Sequence, residues 1–385
     1  MKNEKLWSLS FGMIIIETAL YMIAAYVINP SMTEYLMLKG FAFELTGIIT
    51  SILSWVAIIF RPFSGVLSDR FSKKKLIILS YVISIACMFG YYLASSPAIL
   101  IVIRIIHGFA FTISGTMSMT FAVSFVPEKR IGEGISYFGI ASLIGSMMGP
   151  NLGVSISDNI SIQAPFLFAI ILYVICILLV CFIPYKFERK ENTKLSFNSF
   201  IAPELFVYMI LIGVFSFGNG IVQYYIVGFG KERNIANISM FFTVYSLTML
   251  LMKPFVGKLQ DRYGAHFILY PSFFIYGLGV IILAKSYTLL PVLIAAAFKA
   301  FGQGNGSPAI QADSVKKLGM KRSGVALSTT MIGQDIGNAL GPIFASSLIN
   351  VIGYEDMFLC YATILFICLI IYFVYRKVEK RKGMA

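Results

Sequence analysis

Five ionisable residues stand inside long apolar runs of this chain: Glu17, Arg104, His107, Lys299 and Asp335. A charged side chain near the centre of a membrane helix costs on the order of 2.5–3.5 kcal/mol, so these groups are expected to face a cavity or one another. With histidine neutral their formal charges cancel, as a buried network requires. The chemistry they offer is proton exchange and recognition of charge, because burial and a nearby cation act on a carboxylate in opposite directions. Glu17 shares a helical face with Tyr21 and Ala24. Beside a movable Arg104 it is a carboxyl that loads and releases protons; the alternative is a permanent Glu17–Arg104 structural pair. Arg104 and His107 are three residues apart and share a face, and His107 is either a proton carrier or a hydrogen-bonded bystander. Asp335 is read as a substrate or proton site, with polar packing as its alternative. Asn219, Gln223, Tyr245, Gln303, Gln334 and Asn338 are polar at mid-span; with Tyr21, Phe111, Phe217 and Lys299 they are the expected lining of a substrate cavity.

The elements that must position these residues are membrane helices. The chain has 58% hydrophobic and 13% charged residues over 385 positions, with a mean hydropathy of +0.82, which excludes an ordinary soluble domain. Runs of about 20 apolar residues, enough to cross a hydrocarbon core of about 30 Å, occur six times before a charged linker and six times after it. The expected division is an N-terminal six-helix bundle over 1–184, a linker over 185–203, a C-terminal six-helix bundle over 204–374 and a tail over 375–385. Short alternating segments of a membrane β-barrel are absent. Lys and Arg gather in alternate connections, as at Lys73-Lys74-Lys75 and Lys316-Lys317, and the opposite loops hold few. This asymmetry predicts that the linker and both termini are cytoplasmic in the plasma membrane. The net charge of +13 is accounted for by this topology next to anionic lipid and calls for no nucleic-acid partner. Cys87, Cys176, Cys181, Cys360 and Cys368 lie in spans without metal-site spacing, and no nucleotide-binding loop is present. Neither a metal nor a cofactor is therefore expected.

The two halves repeat one another at an offset of 192 residues. Arg61-Pro62-Phe63-Ser64-Gly65-Val66-Leu67-Ser68-Asp69-Arg70-Phe71 returns as Lys253-Pro254-Phe255-Val256-Gly257-Lys258-Leu259-Gln260-Asp261-Arg262-Tyr263. At the same offset Lys129-Arg130-x-Gly132 returns as Lys321-Arg322-x-Gly324, and Gly145-x-x-x-Gly149-Pro150 as Gly337-x-x-x-Gly341-Pro342. Glycines four apart let two membrane helices touch closely, and the proline bends the helix. Related membrane halves around a central site are a common plan of secondary transporters. Asp335 is matched in the first half by Leu143, so the repeat does not require an acid there.

The Gly65–Phe71 segment resembles the loop 2–3 signature of the major facilitator superfamily, and Gly257–Tyr263 resembles its loop 8–9 counterpart, with Lys258 and Ala265-His266 departing from the fuller pattern. The resemblance covers the whole chain and implies an all-α fold of 12 transmembrane helices in two pseudo-symmetric six-helix bundles. It implies that Asp69 caps the helix starting near Ser323 and holds the outward-open state, that Arg70 pairs with Glu128, and that Asp261 and Arg262 take the mirror role, with Arg130 in the same gating set. Gly145–Pro150, continuing to Gly153, is similar to the span 5 signature of drug/proton antiporters, Arg104-x-x-x-Gly108 to a span 4 signature implicated in proton coupling, and Glu17 before Pro30 to an acid–proline pair of span 1.

These readings converge on a secondary transporter, not an enzyme, that exports a small organic molecule against protons by alternating access. The expected partners are that molecule, protons and the bilayer, and the expected state is a monomer. Uptake or exchange of an organic anion is the rival within the same fold, suggested by Arg104, His107 and Lys299. A sensor or scaffold without transport is the rival from another class.

Overall fold

The computed structural model describes residues 6–41, 43–94, 96–186 and 200–381. Its first half holds α1 (Leu9–Tyr26), the short α2 (Asn29–Leu38), α3 (Phe43–Arg70), α4 (Lys73–Leu93), α5 (Pro97–Val123), α6 (Ile131–Asn159) and α7 (Ala164–Phe182). The second half holds α8 (Phe206–Glu232), α9 (Met240–Tyr263), α10 (Ala265–Ala284), α11 (Leu289–Leu318) and α12 (Ser323–Arg381). Gly353 breaks α12 with φ 78°, in the left-handed region that glycine tolerates best, so it is two helices joined end to end. Leaving α2 aside, the described residues of each half form six long helices.

Local chemistry sets the ends. Ser8 caps α1 by accepting from the Phe11 amide at 3.1 Å, and prolines occupy the first turns of α2, α5 and α7, where a missing N–H costs nothing. Pro30 thus opens α2, whereas the sequence reading put it at the end of the first span. The last helix runs on to Arg381, into the expected tail, and the charged linker positions 187–199 lie outside the described residues.

The surface is apolar and several ionisable groups are buried. Leu9, Leu93 and Val351 are more than 70% exposed, whereas Glu17, Arg104, His107 and Lys299 are each under 5% exposed. The exterior is apolar, as lipid requires, and the interior, built mainly of apolar side chains, also takes in these ionisable groups. Among the described residues nine helices are long and apolar enough to cross a membrane. The remaining three long helices are α3, α11 and the 323–352 part of α12, and the last two carry Lys299, Gln303, Gln334, Asp335 and Asn338. Three cations on the Lys/Arg-poor side are tied down: Lys39 donates to the carbonyls of Tyr91 and Tyr92 at 3.3 Å, and Glu355 holds Arg233 at 2.6 Å and also Lys285.

The chain sorts into two compact units. Unit 1 is Met1–Glu128 with Tyr137–Ile201 and Met320–Ser328; unit 2 is Lys129–Ser136 with Ala202–Gly319 and Thr329–Ala385. Each unit therefore takes in a short segment from the other half of the sequence, and both segments are helix beginnings.

Candidate functional site

In unit 1 the glycines of α6 set the position of α1. A Cβ at Gly145 would lie 2.3 Å from Met22 Cβ, one at Gly149 2.8 Å from Tyr26 Cβ, and one at Gly153 2.0 Å from the Val27 carbonyl oxygen. Bare backbone on α6 thus lets α1 approach to contact and turns Glu17 toward α4 and α7. Its carboxylate accepts from Tyr81 of α4 through Oε1 and from Thr18 through Oε2 at 3.3 Å. Tyr81 Oη also lies 3.3 Å from Ser118 Oγ on α5, and Cys176 of α7 places its Sγ 3.6 Å from the Glu17 carbonyl oxygen. Tyr21, one turn on, donates to the Phe111 carbonyl at 3.2 Å, and its ring neighbours Tyr81 and Phe111 at 5.4 and 6.4 Å. Among the described residues no Lys or Arg forms an ion pair with Glu17.

Arg104 sits elsewhere. Its guanidinium lies 5.9 Å from the centre of the Tyr91 ring, whose hydroxyl is 3.2 Å from His107 Nδ1. The permanent Glu17–Arg104 pair is therefore replaced by two separate clusters, because Arg104 and His107 point to the end of α4 while Glu17 meets its middle. The shared face of Arg104 and His107 is present as the spacing predicts. Tyr81, Tyr91 and Ser118 are the residues that sequence reasoning missed; among 21 tyrosines nothing local distinguishes these two.

In unit 2 the second glycine stripe repeats the device. A Cβ at Gly337 would lie 2.1 Å from the Gly213 carbonyl oxygen, and one at Gly341 2.1 Å from that of Phe217, so α8 and α12 meet backbone to backbone. That closeness brings Asn219 Nδ2 within 3.3 Å of Asn338 Oδ1. Helix α11 packs by glycine on three sides: Gly302 against Tyr276 of α10, Gly304 against Met249 of α9 and Gly306 against Phe215 of α8. So placed, its Lys299 donates to Asn219 Oδ1 at 3.0 Å and lies 4.0 Å from the centre of the Tyr245 ring, and Tyr245 donates to Gln303 at 2.9 Å. Five of the predicted cavity residues thus form one cluster. Gln334 stands apart, 3.5 Å from Gln311; the Phe217 ring lies tilted against Phe344 and Tyr361 at 5.0 and 5.8 Å; Gln223 is exposed; Asp335 is half-buried.

The residues expected to gate form two latches. In unit 1, Ser64 and Ser68 of α3 pair with Thr116 and Thr120 of α5 at 2.8 Å, fixing α3 so that Asp69 meets the start of α12. Asp69 accepts from the amides of Gly324 at 3.0 Å and Val325 at 3.1 Å, as an acid at a helix N-terminus does. Glycine is required on both sides of this contact: a Cβ at Gly65 would lie 2.0 Å from Ser328 Oγ, and one at Gly324 2.7 Å from the Gly65 carbonyl oxygen. In unit 2, Asp261 accepts from the amides of Gly132 at 3.0 Å and Glu133 at 2.9 Å, with Gly257 in the matching place against Glu133 and Ser136. This latch adds ions: Lys316 binds Asp261 at 2.5 Å, and Glu133 holds Arg130 at 2.6 Å and Lys258 at 3.9 Å. Lys258, a departure from the signature, thus has a partner within the latch. Arg70 ends α3 half-buried, Glu128 is exposed, and Arg262 lies 5.2 Å from the centre of the Tyr263 ring.

A doubled set of membrane helices, closed on glycine faces around buried acid and base clusters and latched by two repeated aspartates, is the plan of a carrier. The family model described as Major Facilitator Superfamily matches residues 14–236 and 208–384. The multi-drug resistance efflux pump PmrA of Streptococcus pneumoniae is 25% identical over 357 residues, 87% of each chain. The multidrug resistance protein MdtG of Escherichia coli is 25% identical over 339 residues, 84% of this chain and 80% of that protein. Among solved structures, the E. coli fucose:proton symporter FucP superposes with a TM-score of 0.81 at 15% identity, covering 95% of this chain and 98% of its own, which shows the fold. The 12-helix, two-bundle architecture and the matches along its whole length agree: this chain belongs to the Major Facilitator Superfamily and is a multi-pass membrane transporter of small molecules, not an enzyme.

Proposed function

We propose that the protein exports a small organic molecule across the plasma membrane in exchange for protons, by alternating access, with 1–184 and 204–374 as the moving bodies and both termini cytoplasmic. The observation that carries this reading is the setting of Glu17: a mid-span carboxyl, 1% exposed, held by hydroxyls and not by a cation. A salt bridge would keep a carboxylate ionised throughout a cycle. Hydroxyl partners serve both forms, donating to the carboxylate and accepting from the acid. Glu17 is accordingly the group that takes up a proton from outside and gives it up inside, with Tyr81 and Thr18 as its fixed partners. Arg104, His107 and Asp335 form the rest of the coupling set. The efflux pumps PmrA and MdtG among its relatives support the outward direction, as does the α6 stripe with Pro150.

The test is resistance and transport together. Cells expressing the wild-type chain are challenged with a panel of toxic dyes and antibiotics, and efflux of each protected compound is followed in everted vesicles under an imposed proton gradient. The expected outcome is protection against at least one compound, lost at least tenfold in Glu17→Gln at equal membrane abundance. Full gradient-driven efflux by that variant would remove Glu17 as the coupling acid, and accumulation in place of protection would reverse the direction.

A further inference from the structure

The cluster around Lys299 has a polarity that selects its ligand. A lysine ammonium only donates, so the atom of Asn219 that it touches at 3.0 Å is the acceptor oxygen, and the atom that Asn219 turns to Asn338 is its NH2. The oxygen of Asn338 is used in that bond, and the oxygen of Gln303 takes the Tyr245 hydroxyl. Every side-chain amide oxygen in the cluster is therefore engaged internally. The amide NH2 groups of Asn338 and Gln303 and the remaining N–H bonds of Lys299 are left to donate.

Lys299 itself is 4% exposed and forms no ion pair among the described residues; its neighbours are an amide and the face of a ring. The other four members are only half-buried, so the donor groups lie at an accessible edge while the charge lies behind them. The repeat does not account for the arrangement. At the 192-residue offset Lys299 corresponds to His107, whereas Asn219, Tyr245 and Gln303 correspond to Val27, Leu53 and Phe111, so unit 1 keeps a base at that position without its amide and phenol partners.

We infer that Lys299, Asn338 and Gln303 bind the anionic group of the transported molecule, an organic carboxylate or sulfonate, with Asn219 and Tyr245 positioning the lysine. Oxygens of such a group match the unspent donors and supply the countercharge that the described residues of unit 2 do not offer Lys299. The inference rests on the reading of the protein as a carrier and names the substrate class of its C-terminal half.

The experiment is equilibrium binding to the purified full chain in nanodiscs with no gradient, which separates it from the efflux test: anion preference can fail while efflux stands, and the reverse. The probes are 2-naphthoate and its neutral analogue 2-naphthamide, titrated calorimetrically. Wild type is expected to bind naphthoate at least tenfold more tightly than naphthamide. Lys299→Met and Lys299→Gln should abolish that preference and retain the naphthamide affinity, while Lys299→Arg restores most of it. Lys253→Met removes a second buried lysine, on α9 and outside the cluster, and should keep the preference. Equal binding of the two probes by wild type, absence of naphthoate binding, or an unchanged preference in a folded Lys299→Met or Lys299→Gln protein would overturn the assignment.

Discussion

At the scale of single residues, two buried ionisable groups are held by neutral partners. Glu17 is held by hydroxyls and Lys299 by one amide and a phenol ring, and neither has an ionic partner among the described residues. Such groups respond to whatever enters beside them, whereas a salt-bridged group is already satisfied. Tyr81 has the most to lose of Glu17's partners, being fully buried and reaching it from another helix. Tyr81→Phe removes one donor without creating a cavity. The expected outcome is a stability loss of about 1 kcal/mol in detergent melts, together with slower gradient-driven efflux at unchanged substrate affinity. A melt and an efflux rate both equal to wild type would show that the hydroxyl is idle.

At the scale of elements, glycine stripes decide which helix faces meet. The α6 stripe fixes α1 and the α12 stripe fixes α8, and each pairing carries one site residue into register: Glu17 on α1 and Asn219 on α8. Backbone atoms cannot move aside as a flexible side chain does, so a methyl group 2.1 Å from the Phe217 carbonyl oxygen must push the helices apart. Gly341→Ala is expected to cost about 1–3 kcal/mol and to weaken binding through the Asn219–Asn338 contact. Gly12→Ala is the control. Nothing lies within 4 Å of a Cβ there, and alanine favours helix over glycine by up to about 1 kcal/mol, so no loss is expected. Thermal melts of the two variants side by side check both statements.

At the scale of the whole molecule, the repeat divides labour. Latches and glycine stripes recur at the 192-residue offset, whereas Glu17, Tyr81 and Ser118 correspond to Met209, Phe273 and Ile310. Each half therefore carries the same mechanical parts and its own chemical ones. Under the proposed alternating access the latches must break and remake. The carboxylate of Asp69 accepts one amide N–H on each oxygen, and an asparagine there turns an N–H2 toward one of those donors. Asp69→Asn is expected to cut transport severalfold while membrane abundance stays normal. Asp261→Asn should do the same and in addition lose the Lys316 ion pair, so its effect falls as salt is raised. Efflux normalised to immunoblot signal at two ionic strengths distinguishes the two latches; unaltered transport by both variants would remove the switch reading.

Much of this plan was legible before any coordinates. Hydropathy over about 20 residues marks the spans, the offset of 192 marks the repeat, and ionisable residues in apolar runs mark Glu17, Arg104, His107, Lys299 and Asp335, because each of these is a local property of the chain. What no local pattern holds is the rotation of one helix against another. That rotation gave Glu17 to Tyr81, 64 residues away, and not to Arg104; it gave Arg104 to Tyr91 and joined Lys299 to Asn219, 80 residues earlier. The sequence by itself determined that charges are buried and which helix faces are bare enough to touch. Only the tertiary structure decided which charge meets which partner, since a side chain's neighbours across a helix interface depend on crossing and register that emerge from all the packed faces together.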